Sequence, residues 1–155
     1  MEPGVLVIGY GNELRADDGA GPAVASLLAD DPRCAGARVE SVRQLTPDLA
    51  LDVAAASLVV LVDASTGQRP GKVVVGPLGD DATSGTFSHH LGPATLAGLA
   101  ATLYDAAPRV VVVSVGIATL EFGAPCSPAV ASAIPRMADL VAGIVAEHHA
   151  ARTGA

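Results

Sequence analysis

A chain of 155 residues with half its residues hydrophobic and a mean hydropathy of +0.47 can bury a core of its own and is too apolar for a disordered segment. A net charge of −7 argues against nucleic-acid binding, which needs a basic footprint, and 3% aromatic residues leave little for stacking bases or sugars. The two cysteines, Cys34 and Cys126, make no disulfide framework and lie in no CxxC pair, so both are expected as buried or partly buried free thiols in a reducing compartment.

The elements follow in chain order. The N-terminus, MEPG, runs straight into VLVIG without a basic region or a cleavage site. Val5–Ile8 reads as a buried strand ending in Gly9. Residues 20–29 place Val24, Leu27 and Leu28 at helical spacing. Arg38–Arg43 alternates like a strand. Pro47 opens a helical stretch with Thr46 as its N-cap. Ser57–Val62 is a second buried strand, ending at Asp63, and Lys72–Val75 is a short one. Residues 79–88, GDDATSGTFS, form the one long polar loop. Residues 92–103 read as an Ala/Leu-rich helix and Val110–Val115 as another buried strand. Ser127-Pro128 caps a long final helix with a stripe of Val130, Ile134, Met137, Val141 and Ile144.

Strands apolar at every position are covered on both faces, as in a parallel sheet. Alternation of strands with helices predicts an α/β fold, a three-layer sandwich of a mostly parallel twisted sheet with helices on both faces. One domain spanning 1–150 is expected, with 151–155 as a flexible tail. No apolar run reaches the roughly 18–20 residues of a membrane span. A soluble cytoplasmic protein, monomeric and bound to no membrane, is the expectation.

Residues 9–21, GYGNELRADDGAG, look like a glycine loop for phosphate. The dinucleotide fingerprint G-x-G-x-x-G finds Gly9 and Gly11, but Leu14 stands at the third position. Asp17 and Asp18 sit where a helix N-terminus would otherwise attract an anion. One of them serves as an N-cap in the plainest reading, and Gly19 and Gly21 allow a close approach of backbone or ligand. Asp63 follows SLVVLV, and Asp18 lies past the end of the first strand. Ligands of open α/β sheets bind outside such strand ends, so the two carboxylates converge if the strands are neighbours. The pair His89-His90 opens the helix after the polar loop. Two carboxylates and one imidazole form a mixed donor set with open positions, suited to nickel or zinc. His148-His149 reads as a solvated helix end. There is no G-x-S-x-G elbow and no H-E-x-x-H helix.

The sequence resembles the hydrogenase maturation proteases, endopeptidases that trim the C-terminus of the large subunit of nickel–iron hydrogenases. The likeness runs from Val5 to about Val145. It rests on VLVIGYGNELRADDGAG (5–21), QLTPDLA (44–50), LVVLVDA (58–64), SHHLGPATL (88–96) and VGIATLEFGAPCSPAV (115–130). The resemblance implies nickel ligation by Asp18, Asp63 and His89, which also form the catalytic set. The first ligand of the family can be Glu, one methylene longer than Asp18. His89 is favoured over His90 by its three-residue offset to Gly92. The implied cofactor is nickel supplied within the precursor, with zinc or cadmium as substitutes in crystals. The implied partner is the hydrogenase large-subunit precursor. Either the metal polarises the scissile carbonyl or activates water, or it serves as a docking ruler while Asp17 or Asp18 acts as base. Two other readings stand beside this one: a non-enzymatic metal-binding or chaperone module, and a nucleotide-binding domain.

Overall fold

The apolar runs of the sequence become the inner strands of one sheet. The computed structural model describes residues 4–79 and 91–153. Five strands, β1 (Gly4–Tyr10), β2 (Arg38–Val42), β3 (Ala56–Pro70), β4 (Val73–Pro77) and β5 (Arg109–Gly116), lie in the order β2-β1-β3-β5-β4. All neighbours pair in parallel except β4, which runs antiparallel to β5 at one edge.

Alternation sends successive side chains to opposite faces. Val5 and Val7 of β1, with Leu58, Val60 and Val62 of β3, join the core under α1 (Ala20–Leu28) and α4 (Pro128–Thr153). Leu6, Ile8, Val59 and Leu61 point the other way, to α2 (Leu49–Ala54) and α3 (Pro93–Tyr104). The predicted three-layer, mostly parallel architecture is the one observed.

Several boundaries move. β3 continues past Asp63 to Pro70, because β5 remains its partner as far as Ser65↔Gly116. Its outer half is polar, but ladder hydrogen bonds use backbone groups and need no apolar side chains. Thr46 is not the N-cap of α2. The helix begins at Leu49 after Asp48, without a side-chain cap, and the Thr46 carbonyl accepts from the Leu49 amide at 3.1 Å. Ser127 does cap α4, its hydroxyl accepting from the Val130 amide at 3.4 Å.

α4 also departs from expectation. It runs to Thr153, so 151–153 are helix rather than loose tail. By length and composition it could cross a membrane, with a mean hydropathy of 1.5 over an 18-residue window. Its apolar side is already used: Val130, Met137, Val141 and Val145 are fully buried, and Ile134 and Ile144 pack against the same cluster. His148 is not a solvated end. It lies half-buried more than a turn before the helix ends, 2.9 Å from the Ser57 hydroxyl, and burial holds its pKa below the usual imidazole value. Cys34 and Cys126 are free thiols, buried and half-buried, as expected.

One contact sets where α1 meets the sheet. A Cβ on Gly21 would stand 2.5 Å from the Tyr10 carbonyl oxygen and 2.6 Å from that of Val62. A Cβ on Gly9 would stand 2.1 Å from the Gly21 carbonyl oxygen. The first turn of α1 thus lies directly on the ends of β1 and β3. Gly21→Ala is expected to cost about 3 kcal/mol in urea denaturation through overpacking. Gly98→Ala, in α3 with nothing within 4 Å of the added methyl, is expected to stabilise by about 0.5–1 kcal/mol.

Candidate functional site

β1 pairs with β3 through Gly9↔Val62 and then turns away. Asp63 is the next residue of β3, and alternation puts it on the face of Val59 and Leu61. A cleft of about 490 Å³ opens at this point, with Tyr10, Arg15, Asp18, Arg43 and Asp63 among its lining. It lies at the carboxyl ends of adjacent parallel strands, where open α/β sheets bind ligands.

The glycine loop does not leave room for a phosphate. Gly11 has φ +148°, and a Cβ there would be 1.9 Å from the Asp18 carbonyl oxygen. The chain's own 3-10 turn, Ala16–Gly19, fills the space beneath the loop. Neither aspartate caps α1, whose N-cap is Gly19 without a side-chain bond.

The two neighbouring aspartates have separate tasks. Asp17 is fully buried. One oxygen accepts from the Ser127 amide at 2.6 Å. The other accepts from the amides of Ala118 and Thr119 at 2.8 and 3.1 Å and from the Ser127 hydroxyl at 2.8 Å. Burial alone would raise its pKa, but these donors outweigh it and hold the carboxyl below its ordinary value. With both oxygens occupied, Asp17 is a structural brace and not a base. Cys126 donates to the Ala16 carbonyl at 3.4 Å beside it, and burial, with the Asp17 charge, raises that thiol's pKa.

Asp18 faces the cleft, half-buried, and one oxygen accepts from the Asn12 amide at 2.7 Å. Asp63 is only 6% exposed. Its Oδ1 accepts from the Ala64 amide at 2.7 Å. Burial pushes its pKa up to about 7; the Tyr10 hydroxyl and the Ala64 amide oppose this, and the Asp18 charge adds to it. The structure therefore brings Asp18 and Asp63 to one cleft. His89 and His90 lie outside the described residues. Leu91, the next residue along, lines the cleft. Among the described residues no group of three or more His, Cys, Asp and Glu side chains forms a metal cluster.

Arg15, Arg43, Gln44 and Tyr10 also line the cleft and were not singled out in the sequence. Arg43 and Gln44 stand just past the end of β2, so the strand-end rule that selected Asp63 would have found them too.

Solved structures share this fold. The NiFe hydrogenase maturation protease HycI from Thermococcus kodakarensis superposes with a TM-score of 0.71 at 21% identity over 93% of each chain. HybD from the same organism gives 0.71 at 22%, covering 92% of this chain and 99% of its own. The hydrogenase maturating endopeptidase HybD from E. coli gives 0.71 at 19%, covering 94% and 93%. At these identities the likeness is one of fold. No protein-family model and no curated protein matches the sequence.

Asp17→Ala is expected to lower stability by about 2–4 kcal/mol, because it strips a buried charged acceptor from four donors. Asp17 contributes stability above the ordinary carboxylate range and loses it as pH falls through its depressed pKa. Asp63 has the opposite sign. Its folded pKa of about 7 stands above the ordinary aspartate value of about 3.9, so the folded state holds the extra proton in between. Stability should fall as pH rises from about 4 to about 7 and level off beyond. Asp63→Asn should remove that slope and raise stability at pH 8 by on the order of 3 kcal/mol, read as Tm against pH.

Proposed function

We propose that this protein is a hydrogenase maturation endopeptidase, removing the C-terminal extension of a nickel–iron hydrogenase large-subunit precursor after nickel insertion. The observation that carries the reading is the pairing of Asp18 and Asp63 in one cleft of a fold shared with solved maturation proteases. In this reading the nickel is cargo of the precursor, not a resident ion. Two carboxylates with His89 make a partial ligand set, and an incomplete set suits an ion whose other ligands stay with the substrate.

Asp63 is poised for that encounter. Near neutral pH its carboxyl is close to half-protonated, and an arriving cation favours the ionised form. The nickel supplies Lewis acidity at the scissile region. In the alternative route the nickel is only a docking ruler, and Asp18, with one oxygen anchored by the Asn12 amide, uses the other to take a proton from attacking water and return it to the leaving amine. We place the reaction in the cytoplasm, carried out by a monomer; the free thiols of Cys34 and Cys126 suit a reducing compartment.

Mass spectrometry of the nickel-loaded and nickel-free precursor tests the reading. Loss of a short C-terminal peptide from the loaded form alone is the expected result. Metal binding without cleavage of any cognate precursor would instead support a non-enzymatic metal-binding module. Asp18→Ala, Asp63→Ala and His89→Ala should each lower kcat/KM at least about 100-fold while remaining folded. Cadmium titrated by calorimetry should bind more weakly below pH 7, by up to about tenfold per pH unit, as protons compete for Asp63.

A further inference from the structure

Two loops border the cleft, one after β1 and one after β5. The first supplies Asn12 and Arg15 to the lining, the second Ile117 and Leu120. They are tied together at their outer edge, where the Gly123 amide donates to the Leu14 carbonyl at 2.7 Å. Asp17 binds them again at the base, through the Ala118 and Thr119 amides. Each loop carries the same two-residue pattern at its tip: Glu13-Leu14 on one, Glu121-Phe122 on the other, all four exposed. Phe122 is 70% exposed, the highest value among the exposed large apolar side chains of the described residues, and Leu14 is 54% exposed. The ion pairs among the described residues involve Arg33 and Arg38, and neither Glu13 nor Glu121 takes part.

An exposed aromatic in a chain with only two Phe and two Tyr has no role in the core. Phe122 and Leu14, on loops joined by the Gly123–Leu14 hydrogen bond and each next in sequence to a carboxylate outside the ion pairs above, place an aromatic of the kind enriched at interfaces between charged flanks. We propose that these twin lips are the docking surface for the body of the protein substrate, gripping an apolar socket flanked by Lys or Arg while the scissile segment enters the cleft. The inference rests on the endopeptidase reading above and adds to it the surface that selects the precursor. Its continuity with the cleft favours the substrate as occupant. A second copy of this chain is disfavoured, because a symmetric pairing would set Glu13 and Glu121 against their own equivalents.

The test measures binding and turnover with the nickel-loaded large-subunit precursor. Leu14→Ser/Phe122→Ser should raise both the Kd and the KM about 10- to 100-fold, with kcat within about twofold of wild type. Tm and cadmium binding at the cleft should be unchanged, which separates lost docking from lost folding or a damaged metal site. Glu13→Lys/Glu121→Lys should slow association about tenfold at low salt, with the difference shrinking as salt is added. Wild-type cleavage with unaltered KM and Kd in the double serine variant would overturn the docking surface and leave the endopeptidase standing. Binding that weakens in the variants, without cleavage by wild type, would leave the docking surface and overturn the endopeptidase. Absence of any binding by wild type would overturn the docking surface directly.

Discussion

The buried carboxylate of Asp17 holds the functional end of the molecule together. It joins the 3-10 turn after β1 to the loop after β5 and to Ser127 at the start of α4, all about a hundred positions further along the chain. A carboxylate so enclosed is tolerated only because every donor around it points inward, and its lowered pKa records that balance. Ser127 is bound to Asp17 and at the same time caps α4, so the same contact fixes the start of the longest helix. Together with the Gly123–Leu14 hydrogen bond, Asp17 joins the two loops that border the cleft after β1 and β5.

The glycines of the opening loop act with Asp17. Close approach at Gly9 and Gly21 lets the first turn of α1 lie on the strand ends, and Gly11 lets the loop fold back over its own turn. A loop that resembles a phosphate cradle is therefore filled by its own backbone, and it presents Asp18 to the cleft together with Asn12 and Arg15. The carboxylate of Asp63, although only 6% exposed, borders the same cleft just past the point where β1 stops pairing at Gly9. Asp18 and Asp63 share the cleft with Arg15 and Arg43, so its lining carries charges of both signs.

Division of labour between neighbouring residues is the main lesson of the site. Asp17 and Asp18 are the same chemical group at consecutive positions, yet one is saturated with donors and the other opens to the cleft. Asp63 is nearly as deeply buried as Asp17, but it has fewer donors to outweigh the burial, and its pKa goes up instead of down. The number of hydrogen-bond donors at hand, more than burial itself, distinguishes the brace from the carboxylates that line the cleft.

The runs Val5–Ile8, Ser57–Val62 and Val110–Val115, apolar apart from Ser57 and Ser114, pointed to the layered α/β fold, since strands apolar on both sides need cover on both faces. The strand-end rule likewise made Asp18 and Asp63 legible, because it needs only strand positions and residue type. Tertiary structure alone decided the strand order, which puts β1 beside β3 and makes those carboxylates neighbours. It alone separated Asp17 from Asp18, because the donors that saturate Asp17 come from residues 118–127, a hundred positions away in the chain. The continuation of β3 to Pro70 and the seat of His148 against Ser57 were hidden for the same reason: each depends on a partner distant in sequence. Local pattern fixes which segments are strands and helices; which side chains meet is settled only by the way the layers close.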